Sequence, residues 1–283
     1  MKSTIFVLFS LCLTTLEVFA GTVPNSSHVF ILMEENHSYS SVIGNSSMPY
    51  FNSLAKKYGL ATQYYANTHP SIGNYFMLTA GQVITNNDSF CNTLTQDNVV
   101  RHLLTAGKTF KAYAEGLPYP GYTGCGSYPY VKRHNPLAYF SDVANSSEKY
   151  NLVPFGQFSK DLANHTLPNY SFMVPNLMHD AHDGSLSAAD SWLKANIVPL
   201  IASSTFQKDG ILIIVFDESF DTDTHHGGGQ VATVVIGPKV KPGCRSTTFY
   251  QHQNALKTLL KAVGLSSFPG AASSAASMSD CFF

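Results

Sequence analysis

The chain has 283 residues, of which 44% are hydrophobic and 12% charged, with a formal net charge of −1. A charge so near zero excludes the broad basic surface that captures nucleic acid or an anionic membrane. The apolar content is ample for a packed core and excludes a chain disordered throughout.

In chain order, residues 1–20 read as a signal peptide. Lys2 supplies a positive start, Ile5 to Leu13 are almost wholly apolar, and Val18-Phe19-Ala20 place small residues at the −3 and −1 positions of a cleavage site. Thr14, Thr15 and Glu17 cut the run short of the roughly 20 apolar residues that span a bilayer. A secreted protein without a stable membrane anchor is expected, with residues 21–283 forming a single domain.

His28 to Met33 is a short apolar run that fits a buried strand, and Met48 to Tyr58 has helical spacing through Tyr50, Phe51, Leu54 and Tyr58. A second helix is expected from Ser71 to Gly81. Phe110 to Ala114 and Tyr170 to Val174 are strand candidates, and Ser187 to Ile201 is helical, ending near Pro199. Ile211 to Phe216 is the strongest strand signal, followed by Val231 to Ile236 and a last helix from about Gln251 to Val263. The stretch from Gly270 to Ser279 reads as a loose tail. Continuous apolar strands alternating with helices predict an α/β fold: a doubly wound, mostly parallel sheet with helices on both faces.

Once Cys12 leaves with the leader, Cys91, Cys125, Cys244 and Cys281 remain. An even count in an exported chain predicts two disulfides, with three pairings open. The pairing expected is Cys91–Cys125 with Cys244–Cys281, which closes the shorter loops. Asn-x-Ser/Thr triplets stand at Asn25, Asn36, Asn45, Asn87, Asn145, Asn164 and Asn169, a density that fits a glycosylated eukaryotic secreted protein.

Three strand candidates run directly into polar clusters. The first ends in Glu34-Glu35-Asn36-His37-Ser38, and Ile211 to Phe216 ends in Asp217-Glu218-Ser219. Tyr170 to Val174 leads into a loop that carries His179, Asp180, His182 and Asp183. Ligands of doubly wound folds collect at the carboxyl ends of strands. Glu35, Asp217 and Glu218 would repel one another there without a cation between them. With the Asn36 amide oxygen they form an oxygen-rich set suited to one hard divalent ion, Ca²⁺, Mg²⁺ or Mn²⁺ rather than Zn²⁺. Ser71 offers the matching nucleophile at a helix N-terminus, although taken alone it is equally an ordinary helix cap. Eleven histidines stand against 17 lysines plus arginines, and several lie in these clusters. Phosphate capture by histidine, in a site poor in Arg and Lys, would favour acid pH.

These residues resemble a known family. Glu34-Glu35-Asn36-His37-Ser38-Tyr39, Pro70-Ser71-Ile72-Gly73-Asn74, His182-Asp183-Gly184 and Asp217-Glu218 look like signature segments of the phosphoesterase family. That family holds bacterial phospholipases C and acid phosphatases, including secreted fungal ones, within the alkaline-phosphatase-like superfamily. The resemblance implies one catalytic metal, with Glu35, Asn36, Ser71, Asp217 and Glu218 as ligands and Ser71 as nucleophile. It places Asn74 near the phosphate and gives His182 and Asp183 the phosphate or the leaving group. His179, His225 and His226 are further pocket candidates. The phospholipase branch often has Thr at the nucleophile and Pro where this chain has Gly73. Together with the short chain, this directs the expectation to an acid phosphatase cleaving small phosphate monoesters through a phosphoserine. The alternatives are a phospholipase C acting on phospholipid diesters and a secreted binding protein without catalysis.

Overall fold

The structure is a computed structural model that describes residues 21–283, so the leader expected over residues 1–20 lies outside the described residues. The strands are β1 (Val29–Glu34), β2 (Gly59–Ala61), β3 (Phe110–Ala114), β4 (Gly126–Ser127), β5 (Tyr130–Val131), β6 (Leu152–Pro154), β7 (Tyr170–Val174), β8 (Ile211–Phe216), β9 (Thr233–Ile236) and β10 (Arg245–Ser246). The helices are α1 (Tyr39–Val42), α2 (Pro49–Lys57), α3 (Ile72–Ala80), α4 (Val99–Thr105), α5 (Ser141–Ala144), α6 (Gly156–Ala163), α7 (Leu186–Ala202), α8 (Ser204–Asp209) and α9 (His252–Ala262).

Eight strands form one sheet in the order β10-β2-β9-β8-β1-β7-β3-β6. The run β8-β1-β7-β3-β6 is parallel, whereas β9 lies antiparallel to both β8 and β2. Every residue of β1, β7 and β8 is buried, because helices cover both faces and leave no position for polar alternation. The register shows which helix covers which face. Glu34 pairs with Phe216, whose ring meets Phe51 of α2, and on the same face of β1 Phe30 meets Phe206 of α8. Ile31 pairs with Phe172, on the opposite face, where Tyr75 of α3 packs.

The antiparallel β9 departs from an all-parallel sheet but keeps it mostly parallel. Helix α7 runs through Pro199 to Ala202. Proline there removes one hydrogen bond to the carbonyl four residues back, which a long packed helix tolerates. The tail expected to be loose is packed. Ala272 is buried, Ala271 N–H donates to Gly81 O at 2.8 Å, and Met278 N–H donates to Thr258 Oγ1 at 2.7 Å. Disulfides join Cys91 to Cys125 and Cys244 to Cys281, the pairing that closes the shorter loops.

A long-range cap fixes α2. Asp190 of α7 is buried and accepts from Tyr50 N–H at 2.9 Å and Phe51 N–H at 2.8 Å, satisfying first-turn donors that α2 cannot pair itself. The helix dipole adds to this attraction. Asp190→Ala is expected to cost about 2–3 kcal/mol, since two buried donors lose a charged acceptor. Urea unfolding should show a lower midpoint with an unchanged slope.

Candidate active site

Because β1, β7 and β8 are parallel neighbours, their carboxyl ends fall on one edge of the sheet. Glu35 follows β1, Asp217 and Glu218 follow β8, and the loop to Asp183 follows β7. Backbone bonds tie the three ends together: Glu35 N–H donates to Asp180 O at 2.7 Å, and Asp217 N–H donates to Glu34 O at 2.9 Å. Asn36 adopts φ 51°, a left-handed conformation that asparagine tolerates better than most residues, and its N–H donates to Asp217 Oδ1 at 3.0 Å.

Ser71, 2% exposed, stands at the N-terminus of α3 but does not cap it with its side chain. Asp88 Oδ1 takes the Ile72 N–H instead, at 3.2 Å. The Ser71 hydroxyl lies 3.1 Å from Glu35 Oε2, 3.1 Å from Glu218 Oε1 and 3.4 Å from Asn36 Oδ1. It therefore faces three acceptors with a single proton to donate. This separates Ser71 from an ordinary cap serine. The segment that delivers it lies against Gly227-Gly228-Gly229. A Cβ at Gly227, where φ is 109°, would stand 2.0 Å from Asn67 O, so glycine is required for this close approach.

The electrostatics are those of anions crowded without charge compensation. Burial, then the charge of Asp217, pushes the Glu218 carboxyl up to about 9. Burial holds Asp217 at about 7, and burial with the Asp217 charge holds Glu35 well above the ordinary carboxylate range. Asp217 Oδ2 is buried without a hydrogen-bond partner among the described residues. An oxygen-rich set with surplus acceptors, raised acidities and one orphaned buried oxygen fits a hard divalent cation.

Several participants were not visible as such in the sequence. Asp180 and His134 are both buried, with His134 Nδ1 at 3.1 Å from Asp180 Oδ2. His134 Nε2 lies 3.2 Å from Glu35 Oε1, off the hydrogen-bonding direction, and has no hydrogen-bond partner among the described residues. Burial lowers His134 well below the usual histidine range and raises Asp180 to about 7. The Tyr75 hydroxyl donates to Glu35 Oε1, and its ring stacks on His134 at 5.1 Å. His69 Nδ1 meets Glu218 Oε2 at 2.7 Å. His252 Nε2 donates to Asp217 O at 2.7 Å, while Nδ1 accepts from the Tyr64 hydroxyl at 3.2 Å. Among the described residues, two triads have ligand atoms within 4.8 Å of one another: Glu35, His134 and Asp180, and His69, Glu218 and Asp221.

Of the residues expected from sequence, Glu35, Asn36, Ser71, Asp217 and Glu218 come together directly. His182 and Asp183 pair at 2.7 Å, with the His182 ring 5.8 Å from that of His134. Asn74 is adjacent, but its amide is engaged by the backbone. Oδ1 accepts from Asn67 N–H at 2.9 Å and Thr68 N–H at 3.2 Å, and Nδ2 donates to Thr68 O at 2.8 Å. His179 bonds Glu115 at 3.0 Å. The His225 side chain is 84% exposed and bonds Asp223, and His226 packs on Tyr65 and Phe249. None of these last three contacts Ser71 or the carboxylates around it.

The chain is 37% identical to a phosphatidylinositol-3-phosphatase of Mycobacterium tuberculosis, over 87% of this chain and 80% of that one. It is 32% identical to an acid phosphatase of Aspergillus fumigatus, over 82% of this chain and 54% of that one, so it spans about half the length of that relative. Among solved structures it is similar to a protein of the alkaline phosphatase superfamily from Vibrio parahaemolyticus, with TM-score 0.58, 13% identity, and 93% and 74% of the two chains covered. A phosphonate monoester hydrolase from Silicibacter pomeroyi aligns with TM-score 0.59 at 12% identity, over 89% of this chain and 76% of that one. At these identities the structural likeness concerns the fold alone. The model of the Phosphoesterase family matches residues 45–266, a span that holds Ser71, Asp217 and Glu218 and begins after Glu35 and Asn36. The chain belongs to the Phosphoesterase family and is a hydrolase acting on phosphoric esters.

Proposed function

We propose that the protein is a secreted, metal-dependent acid phosphatase that cleaves phosphate monoesters through a covalent phosphoserine at Ser71. The observation that carries this reading is the Ser71 hydroxyl, 3.1 Å from each of two carboxylate oxygens at the end of the sheet. Glu35, Asn36, Asp217 and Glu218 would hold one divalent ion beside Ser71, whose positive charge would acidify the hydroxyl and offset charge on the phosphoryl oxygens.

The Ser71 proton passes to a neighbouring carboxylate, and Oγ attacks phosphorus in line as the bond to the ester oxygen breaks. His182, whose Nδ1 is held by Asp183, gives a proton to the departing alcohol. Water, giving a proton back to His182, then attacks the phosphoserine, and the carboxylate returns its proton to Ser71 Oγ as phosphate is freed. His69 and Tyr75 orient Glu218 and Glu35, as supporting hydrogen bonds do around metal ligands. Asn74 acts by holding the Asn67–Thr68 turn that delivers Ser71.

Release of phosphate from p-nitrophenyl phosphate at acid pH, lost in chelator and recovered with a divalent ion, tests this assignment. No hydrolysis with any divalent ion would overturn it. The likeness to a phosphatidylinositol-3-phosphatase favours a second substrate, a monoester on a lipid headgroup. Comparing that lipid with the soluble monoester decides between them, and turnover of phosphatidylcholine would point instead to a phospholipase C.

Secretion and glycosylation belong to the same reading, supported by the apolar leader, the two disulfides and the acid phosphatases among the relatives. No helix among the described residues is long and apolar enough to cross a membrane. Asn25, Asn87, Asn145 and Asn164 are exposed. Asn36 faces Ser71, while the amides of Asn45 and Asn169 donate to Ser41 O and Ser27 O at 2.8 and 3.0 Å. Glycopeptide mass spectrometry of protein from a eukaryotic host should find glycans at the four exposed sites and none at Asn36, Asn45 or Asn169.

A further inference from the structure

Arg133 lies in the short 3₁₀ turn Lys132–His134, outside every segment that the sequence pattern marked. Its Nε–H is buried and has no hydrogen-bond partner among the described residues. The nearest carboxylate oxygen, Asp88 Oδ2, is 3.8 Å away, too far for a hydrogen bond. A terminal guanidinium N–H reaches His182 Nε2 at 3.5 Å, a long contact in which the neutral imidazole accepts while its Nδ1 is held by Asp183. A buried donor without a partner is costly unless a ligand completes it.

The position of Arg133 identifies the ligand. From Ser71 the contacts run through Ile72 N–H to Asp88, then to Arg133, on to His182, to the His134 ring, to Glu35, and back to the Ser71 hydroxyl. They form a closed circuit in which the Arg133 guanidinium stands between Asp88 and His182. A guanidinium offers a planar fork of N–H donors that matches two oxygens of a tetrahedral oxyanion. A phosphate monoester presents three terminal oxygens, whereas a diester presents two and carries a second alcohol arm in place of the third. With one terminal oxygen turned toward the Ser71 end of the site, a monoester leaves two for the fork and a diester leaves only one.

We propose that Arg133 binds the phosphoryl group of the substrate and makes this site prefer monoesters to diesters. The inference rests on the phosphatase reading and adds to it the residue that sets the substrate class. It also changes the source of positive charge expected from sequence, since an arginine joins the histidines at the phosphate.

The test measures kcat/KM of the full chain on p-nitrophenyl phosphate and on bis(p-nitrophenyl) phosphate, with inhibition by inorganic phosphate, for wild type, Arg133→Ala, Arg133→Gln and Arg133→Lys. In Arg133→Ala and Arg133→Gln, monoester kcat/KM is expected to fall roughly 30-fold, as for loss of hydrogen bonds to a charged group. The monoester-to-diester ratio should fall at least ~10-fold and the phosphate inhibition constant rise by a similar factor. Arg133→Lys keeps the charge without the fork and should recover only part of the monoester rate, which also guards against a folding defect in the smaller variants. Equal losses on both esters, or an unchanged phosphate inhibition constant, would overturn the inference while leaving the phosphatase reading intact. A wild type that cleaves neither ester would overturn both.

Discussion

Ser71→Ala is expected to abolish turnover of p-nitrophenyl phosphate, by roughly three orders of magnitude or more, as for other enzymes stripped of a covalent nucleophile. The fold should survive. The Ser71 hydroxyl does not cap α3, and Asp88 already takes the Ile72 N–H, so the start of the helix loses no partner. The side chain is buried, yet the loss is of one donor to carboxylates that have others: Tyr75 donates to Glu35, and His69 pairs with Glu218. The melting midpoint is expected within a few degrees of wild type, and the content of divalent metal measured on the purified protein should persist. Undiminished turnover in Ser71→Ala would sink the phosphoserine mechanism, whatever else the protein hydrolyses.

The fold was legible where burial imposes a simple pattern. Ile211–Phe216, Tyr170–Val174 and Phe110–Ala114 are runs bounded by polar or turn residues, and their limits match the observed strands. The three-residue strands Gly59–Ala61 and Leu152–Pro154 were not legible, because sheet pairing rather than side-chain pattern defines strands so short. The tail was misread because Ala, Ser and Gly give no apolar signal. Small side chains nonetheless let residues 270–279 lie close against α3 and α9, where backbone bonds hold them.

For the site, Glu35, Asn36, Asp217 and Glu218 could be found because a parallel sheet sends every strand out at the same edge, and the residues just past each strand end stand there together. His134 and Arg133 lie on an irregular segment far from that edge in sequence, and no periodicity marks them. Tyr75 was legible only as a core residue of α3. That its hydroxyl ends on Glu35 is a fact of packing, not of pattern. Asp180 was visible as an acid in the loop after β7, but its bond to His134 required a contact across 46 residues.

The second large effect concerns stability, and its sign is set by the same carboxylates. Without a cation, Glu218 is held at about 9 and Asp217 and Asp180 at about 7, against about 4 in an unfolded chain. The folded state therefore retains protons that the unfolded state has released, and stability must fall as pH rises through this window. Two histidines oppose the trend at its acid end. Burial lowers His252 to about 4 and His134 well below its ordinary value, so the unfolded state binds more protons there and stability rises up to about pH 6.5. At the alkaline end Lys132, lowered to about 8 by burial, acts in the same direction as these histidines. The carboxylates stand alone between about pH 6.5 and 8. Over that span Glu218 by itself contributes a loss of about 2 kcal/mol, which is roughly 4–8 °C in melting midpoint. A divalent cation reverses this, because it binds the ionised carboxylates and competes with their protons. Calorimetric midpoints in chelator should fall from pH 6.5 to 8, while those with Mg²⁺, Mn²⁺ or Ca²⁺ hold level, so that the gap widens with pH. A gap that is absent, or that narrows as pH rises, would mean that these oxygens do not hold the metal, and Ser71 would lose the charge that makes it a nucleophile.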